Sequence, residues 1–112
     1  MNKAEKEAIL QQLGGIPEDV YNEIGRDFVK IARSQEAQLE EAVAAGDWTA
    51  VARVSHSLKG SSGNLRIVKI QELMLEVEHA LQAKEPEKVP VLIRRLPELI
   101  TESESAFLTI LS

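Results

Sequence analysis

The stretch Ser55-His56-Ser57-Leu58-Lys59-Gly60-Ser61-Ser62-Gly63 lies inside a helical pattern that its own composition weakens. Around it Val51, Val54, Leu58, Ser62 and Leu65 recur three or four residues apart, the spacing of one inner face of an α-helix over about 48–65. Two glycines within such a helix cost about 1 kcal/mol each against alanine. That loss is large for a domain whose total stability is on the order of 5–15 kcal/mol, so it calls for a reason in packing or chemistry. At about 100° per residue, Gly60 lies about 40° round from His56 and Gly63 about 20° to the other side. His56, Gly60 and Gly63 therefore form one line on the outer side of the helix. The imidazole stands beside a strip with almost no side-chain bulk, open to another protein.

Working outward, the rest of the chain repeats the helical period. A short segment, about Lys3 to Leu13, has helical composition and stops at Gly14-Gly15, after which Pro17 fits an early position of the next helix. Val20, Ile24, Phe28, Ile31, Leu39 and Ala42 mark one face of that long helix, with Gln35 interrupting the stripe. Gly46 ends it, and the Asp47 carboxylate is placed to cap the following helix. A break is expected near Gly63-Asn64-Leu65-Arg66. Beyond it Ile67, Ile70, Leu73, Met74, Val77 and Leu81 describe a fourth helix ending before Glu85-Pro86. Val89, Leu92, Ile93, Leu96, Leu99, Ile100, Phe107 and Ile110 describe the last, kinked at the interior Pro97. No segment alternates with period two, so no strand is expected. Four long amphipathic helices joined by short turns predict an all-α, up-down-up-down four-helix bundle with a short additional N-terminal helix across one end. The whole chain, 1–112, reads as a single domain.

Composition narrows the function. A net charge of −5 and 4% aromatic residues argue against nucleic acid, which needs a basic, stacking surface. No apolar run approaches the roughly 20 residues that span a bilayer. The charged N-terminus lacks the apolar core of a signal peptide, and the absence of cysteine removes disulfide and thiolate chemistry. A cytoplasmic location is the simplest expectation.

Histidine-borne phosphoryl transfer needs what the 55–63 stretch offers. Free imidazole titrates at about 6.5, so its neutral, nucleophilic form is abundant near pH 7. In-line attack on phosphorus needs room around the ring. Lys59, three residues on, can offset charge on incoming phosphoryl oxygens. Taken singly these features have plainer readings, since a lone helical histidine is usually surface chemistry and a glycine pair can mark a close helix crossing. Their conjunction favours phosphoryl chemistry. His79 has no such neighbours and reads as ordinary surface. Glu76 and His79 have the Glu-x-x-His spacing of metal-binding bundles, but the pattern occurs once, so no metal site is expected.

At these residues the sequence resembles the histidine-containing phosphotransfer domains of two-component phosphorelays. Their signature, His-x-Leu-Lys-Gly followed by two small residues, stands here as His56-Ser57-Leu58-Lys59-Gly60-Ser61-Ser62, and Ala45-Gly46-Asp47 before the histidine helix also matches. The resemblance covers nearly the whole chain. It implies that His56 is the phosphoacceptor, shuttling phosphate between receiver domains of response regulators or hybrid histidine kinases. Lys59 would contact the phosphoryl group, and Gly60 with Gly63 would give clearance. Glu78 falls where relatives carry a Gln or Glu that orients the imidazole. With no ATP-binding catalytic domain, P-loop or metal-ligand cluster in the sequence, a phosphocarrier without kinase activity and without a cofactor of its own is expected, Mg²⁺ belonging to the receiver. A bundle complete in one chain favours a monomer. One departure is Arg66, where relatives usually have glycine; Gly63 and Asn64 are expected to supply the turn instead. The competing reading is an adaptor bundle that binds receivers without phosphotransfer.

Overall fold

The protein, described here by a computed structural model over residues 1–108, consists of helices joined by short turns between Lys3 and Leu108. Helix α1 (Lys3–Gln12) begins at Asn2, whose side chain accepts from the Glu5 N–H. Helix α2 (Glu18–Ala45) is the longest; Pro17 is its extended N-cap at ψ 143° and not a residue of the first turn as the sequence suggested. Gly46, at φ 66°, closes α2 in the left-handed region, and Asp47 caps α3 (Trp48–Asn64) by accepting the Ala50 N–H at 3.1 Å. Helix α4 (Val68–Gln82) follows, then a 3₁₀ turn (Pro86–Lys88), α5 (Val89–Ile93) and α6 (Leu96–Leu108). Ile110, assigned to the last helix from its spacing, lies outside the described residues.

Packing joins α2 to α3, α3 to α4, α4 to α5 and α6, and α6 back to α2. Cross-pairs set the directions. Gln35 meets Ser57 while Tyr21 meets Leu65, so α2 and α3 run antiparallel. His56 meets Glu78 and Gly63 meets Gln71 across α3 and α4; Lys69 meets Glu102 and Arg95 meets Glu76 across α4 and the last segment. Tyr21, Leu39, Leu58, Ile70, Leu73, Met74, Leu96, Ile100 and Phe107 are fully buried between the helices. A 28-residue α2, about 42 Å long at 1.5 Å per residue, accounts for the 46 Å long axis.

Three expectations are corrected. The buried face of α2 is Tyr21, Gly25, Phe28, Val29, Ala32, Leu39 and Ala42, whereas Val20, Ile24 and Ile31 are exposed. That helix carries two apolar lines about 100° apart, and the core selects the one that includes a glycine and an alanine, because Phe107 occupies the space left by Gly25. Pro97 produces no interior kink: the helix ends at Ile93 and restarts at Leu96, which places Pro97 in a first turn where its missing N–H breaks no ladder bond. The turn after α3 is made by Arg66 itself, at φ 61°, while Gly63 and Asn64 remain helical.

Helix α1 is tied to the end of the bundle by an unexpected device. Lys6 is buried, its ammonium donating to the Ala106 carbonyl at 2.9 Å and pairing with Glu18 at 3.3 Å. Among the described residues no helix is long and apolar enough to cross a membrane.

Candidate functional site

His56 projects from the middle of α3 with its side chain 76% exposed. The core face of α3 (Val51, Val54, Leu58) fixes this direction, because burying those side chains turns position 56 outward. Ser55 and Ser62, polar residues on the buried side, are satisfied within the helix through the Ala52 and Leu58 carbonyls.

On the α4 side, Glu78 is mostly buried and reaches both His56 and Lys59. Its Oε1 lies 3.1 Å from His56 Nδ1, and its Oε2 accepts from Lys59 Nζ at 2.7 Å. Lys59 beside it holds the Glu78 carboxyl below its ordinary range, with the His56 hydrogen bond acting in the same direction and burial opposing both. An ionised carboxylate can only accept, so its contact with Nδ1 requires the proton there. Nε2 of neutral His56 then carries the free lone pair on the exposed edge of the ring. Structure thus brings His56, Lys59 and Glu78 into one connected group, drawn from two turns of α3 and one position of α4.

The two glycines differ. A Cβ at Gly60 would meet nothing within 4 Å, so the surface next to His56 is open. At Gly63 a Cβ would stand 2.6 Å from the Gln71 amide, so that clearance is taken up by this chain's own side chain and not left open as expected. On the α2 side Gln35 donates to Ser57 Oγ at 3.1 Å, anchoring the far flank of the histidine turn. In the sequence Gln35 is only a gap in a core stripe, and Gln71 has no local feature that ties it to this site. The available signal was antiparallel register, which sets position 35 opposite 57 and 71 opposite 63.

Glu76 and His79, whose spacing carried no expectation of a metal, stand apart from this group; Glu76 pairs with Arg95 at 3.1 Å on the surface. A cleft of about 560 Å³ between α1, the start of α4 and α6 is lined by Ile9, Val68, Leu99 and Phe107 and does not include His56. His56 is therefore presented on an open helix face, suited to contact with another macromolecule and not to enclosing a small molecule.

No curated protein and no solved structure matches the chain. A family model described as the Hpt domain matches residues 23–106, from the first turns of α2 into the last turn of α6. An exposed histidine braced on a helical bundle, and a match spanning three quarters of the sequence around it, lead to one assignment: the chain belongs to the Hpt domain family, the phosphocarriers of two-component phosphorelays.

Proposed function

We propose that this chain accepts a phosphoryl group on His56 Nε2 from the phosphorylated aspartate of a receiver domain and passes it to another receiver. The observation that carries the reading is the His56–Glu78–Lys59 group beside the open surface at Gly60. In the forward step the Nε2 lone pair attacks phosphorus, a nitrogen–phosphorus bond forms, and the acyl-phosphate P–O bond breaks. Its electron pair leaves on the receiver's aspartate carboxylate. Positive charge develops on the imidazole, whose Nδ1–H stays directed at Glu78; that carboxylate offsets the charge where it appears. Lys59 has three N–H donors, one of them on Glu78, and the remainder are available to phosphoryl oxygens. Gly60 leaves room for the receiver's backbone to approach. In this reading the protein is a carrier, Mg²⁺ resides in the receiver's acidic pocket, and ATP plays no direct part.

Incubation with a phosphorylated receiver domain, followed by intact-mass measurement, tests the proposal. The expected product carries one phosphoryl group that is lost in acid, survives alkali and is missing from His56→Gln. Binding without transfer from any receiver in a panel would instead establish the adaptor reading.

A further inference from the structure

Among the described residues, two that are not glycine hold a left-handed backbone, Arg66 at φ 61° and Lys84 at φ 58°. Each follows a helix and closes it with the same pair of bonds. After α3, Arg66 N donates to Gly63 O at 3.1 Å and Ile67 N to Ser62 O at 2.8 Å; after α4, Lys84 N donates to Leu81 O at 3.1 Å and Glu85 N to Ala80 O at 2.8 Å. Glycine fits this position without the Cβ strain that any other residue brings. Strain kept in a fold directs attention to what the retained side chain does.

The two sites differ in their surroundings. Ile31 and Ile24 on α2 and Leu75 on α4 are exposed. The antiparallel pairs Gln35–Ser57, Tyr21–Leu65 and Glu78–His56 set them level with the part of α3 from about Gly60 to its end, on one side of His56. An interface burying about 800 Å² per partner has a radius of about 16 Å. Centred on Gly60, such a footprint includes His56, about 6 Å along the helix, and Arg66, about 9 Å the other way. Antiparallel register, with Glu78 beside His56, sets Lys84 level with residue 50. That is about 15 Å along and one helix spacing of about 9 Å aside, beyond the rim. Arg66 is exposed, uses one guanidinium N–H on the Gly63 carbonyl at 2.8 Å, and has no ion-pair partner among the described residues. Arg66, which also lines the cleft between α1, α4 and α6, therefore brings a cation without an ion-pair partner among the described residues to the edge of these exposed apolar side chains.

We propose that Arg66 is a docking residue that engages an acidic side chain on the surface of the incoming receiver domain. The inference rests on the phosphocarrier reading and names a recognition contact within it. A rim charge acts on encounter and salt dependence more than on chemistry.

The test uses the receiver that transfers fastest to the wild-type full chain, chosen from a panel, and measures affinity, transfer rate and melting temperature. Arg66→Gly should melt no lower than wild type yet bind roughly two- to fivefold more weakly at low salt, the size of an exposed ion pair. The deficit should vanish near 1 M salt, where the screening length is about 3 Å. Arg66→Lys should retain most of the affinity, and Lys84→Gly should leave binding unchanged. Unchanged binding by Arg66→Gly, an equal loss in Lys84→Gly, a lysine variant as weak as the glycine one, or a deficit that persists in high salt overturns the proposal. If no receiver binds or transfers to the wild-type chain, the phosphocarrier reading falls and this inference with it. Intact transfer indifferent to Arg66 overturns the inference alone.

Discussion

Glu78 is the residue through which His56 and Lys59 are coupled, because one carboxylate serves both. Replacing it with Gln keeps the shape but provides an amide that can donate as well as accept, so the Nδ1–H tautomer is no longer imposed. We expect ¹⁵N spectra of Glu78→Gln to show both neutral tautomers of His56, and transfer to slow about tenfold, the equivalent of one charge-assisted hydrogen bond of about 1.5 kcal/mol. Stability follows with a definite sign. A carboxyl held below its unfolded value of 4.5 contributes stability above that pH and loses it as pH falls through the lowered folded value. The melting-temperature difference between wild type and Glu78→Gln should therefore close in acid. At this scale the sequence was informative where neighbours lie on one helix: His56, Lys59 and Gly60 are related by helical phase alone. Glu78 entered through family resemblance, and Gln35 and Gln71 were missed because their relation to the site depends on how neighbouring helices register.

Helix α2 shows how an element's face is chosen by its partner. Gly25 lies against Phe107, and a Cβ there would stand 2.1 Å from the ring. The same ring meets Tyr21 edge-on with centroids 5.5 Å apart. Periodicity in α2 is ambiguous, since Val20, Ile24 and Ile31 are as regular as the true core line and more apolar. A glycine can be a core residue only when something fills the gap, and that partner is 82 residues away. Gly25→Ala should destabilise the fold by about 1–3 kcal/mol through overpacking, read as a lower urea midpoint with unchanged slope. Helix ends were more legible: Gly46 and Asp47 act as their residue types predict. The end of α3 was not, because nothing local announces that an arginine will take a left-handed conformation. Lys84→Gly isolates that strain at the end of α4. It should raise stability by about 1 kcal/mol, measurable as a melting point about 4 °C higher.

For the whole molecule, the closed ring of helices was readable from amphipathic lengths and short turns, whereas its fastenings were not. Lys6 fixes α1 to the Ala106 carbonyl, and Tyr21 fixes α2 to the end of α3 by donating to the Leu65 carbonyl at 2.8 Å. Both are long-range polar contacts that leave no periodic trace in a sequence. Burial pushes the Tyr21 phenol up to about 12 from 10.0. The unfolded chain releases that proton first, so stability is complete below pH 10 and declines between pH 10 and about 12, by on the order of 2 kcal/mol. Alkaline unfolding of Tyr21→Phe should lack this component. The assembled molecule presents one histidine on an open face, with Glu78 holding Nδ1–H and Nε2 outward. The most direct test is ³¹P and ¹⁵N NMR of the chain after phosphorylation by a receiver domain. The account predicts a phosphorus–nitrogen bond at Nε2 of His56 with Nδ1 still protonated. Phosphate at Nδ1 of His56, or on His79, would contradict it.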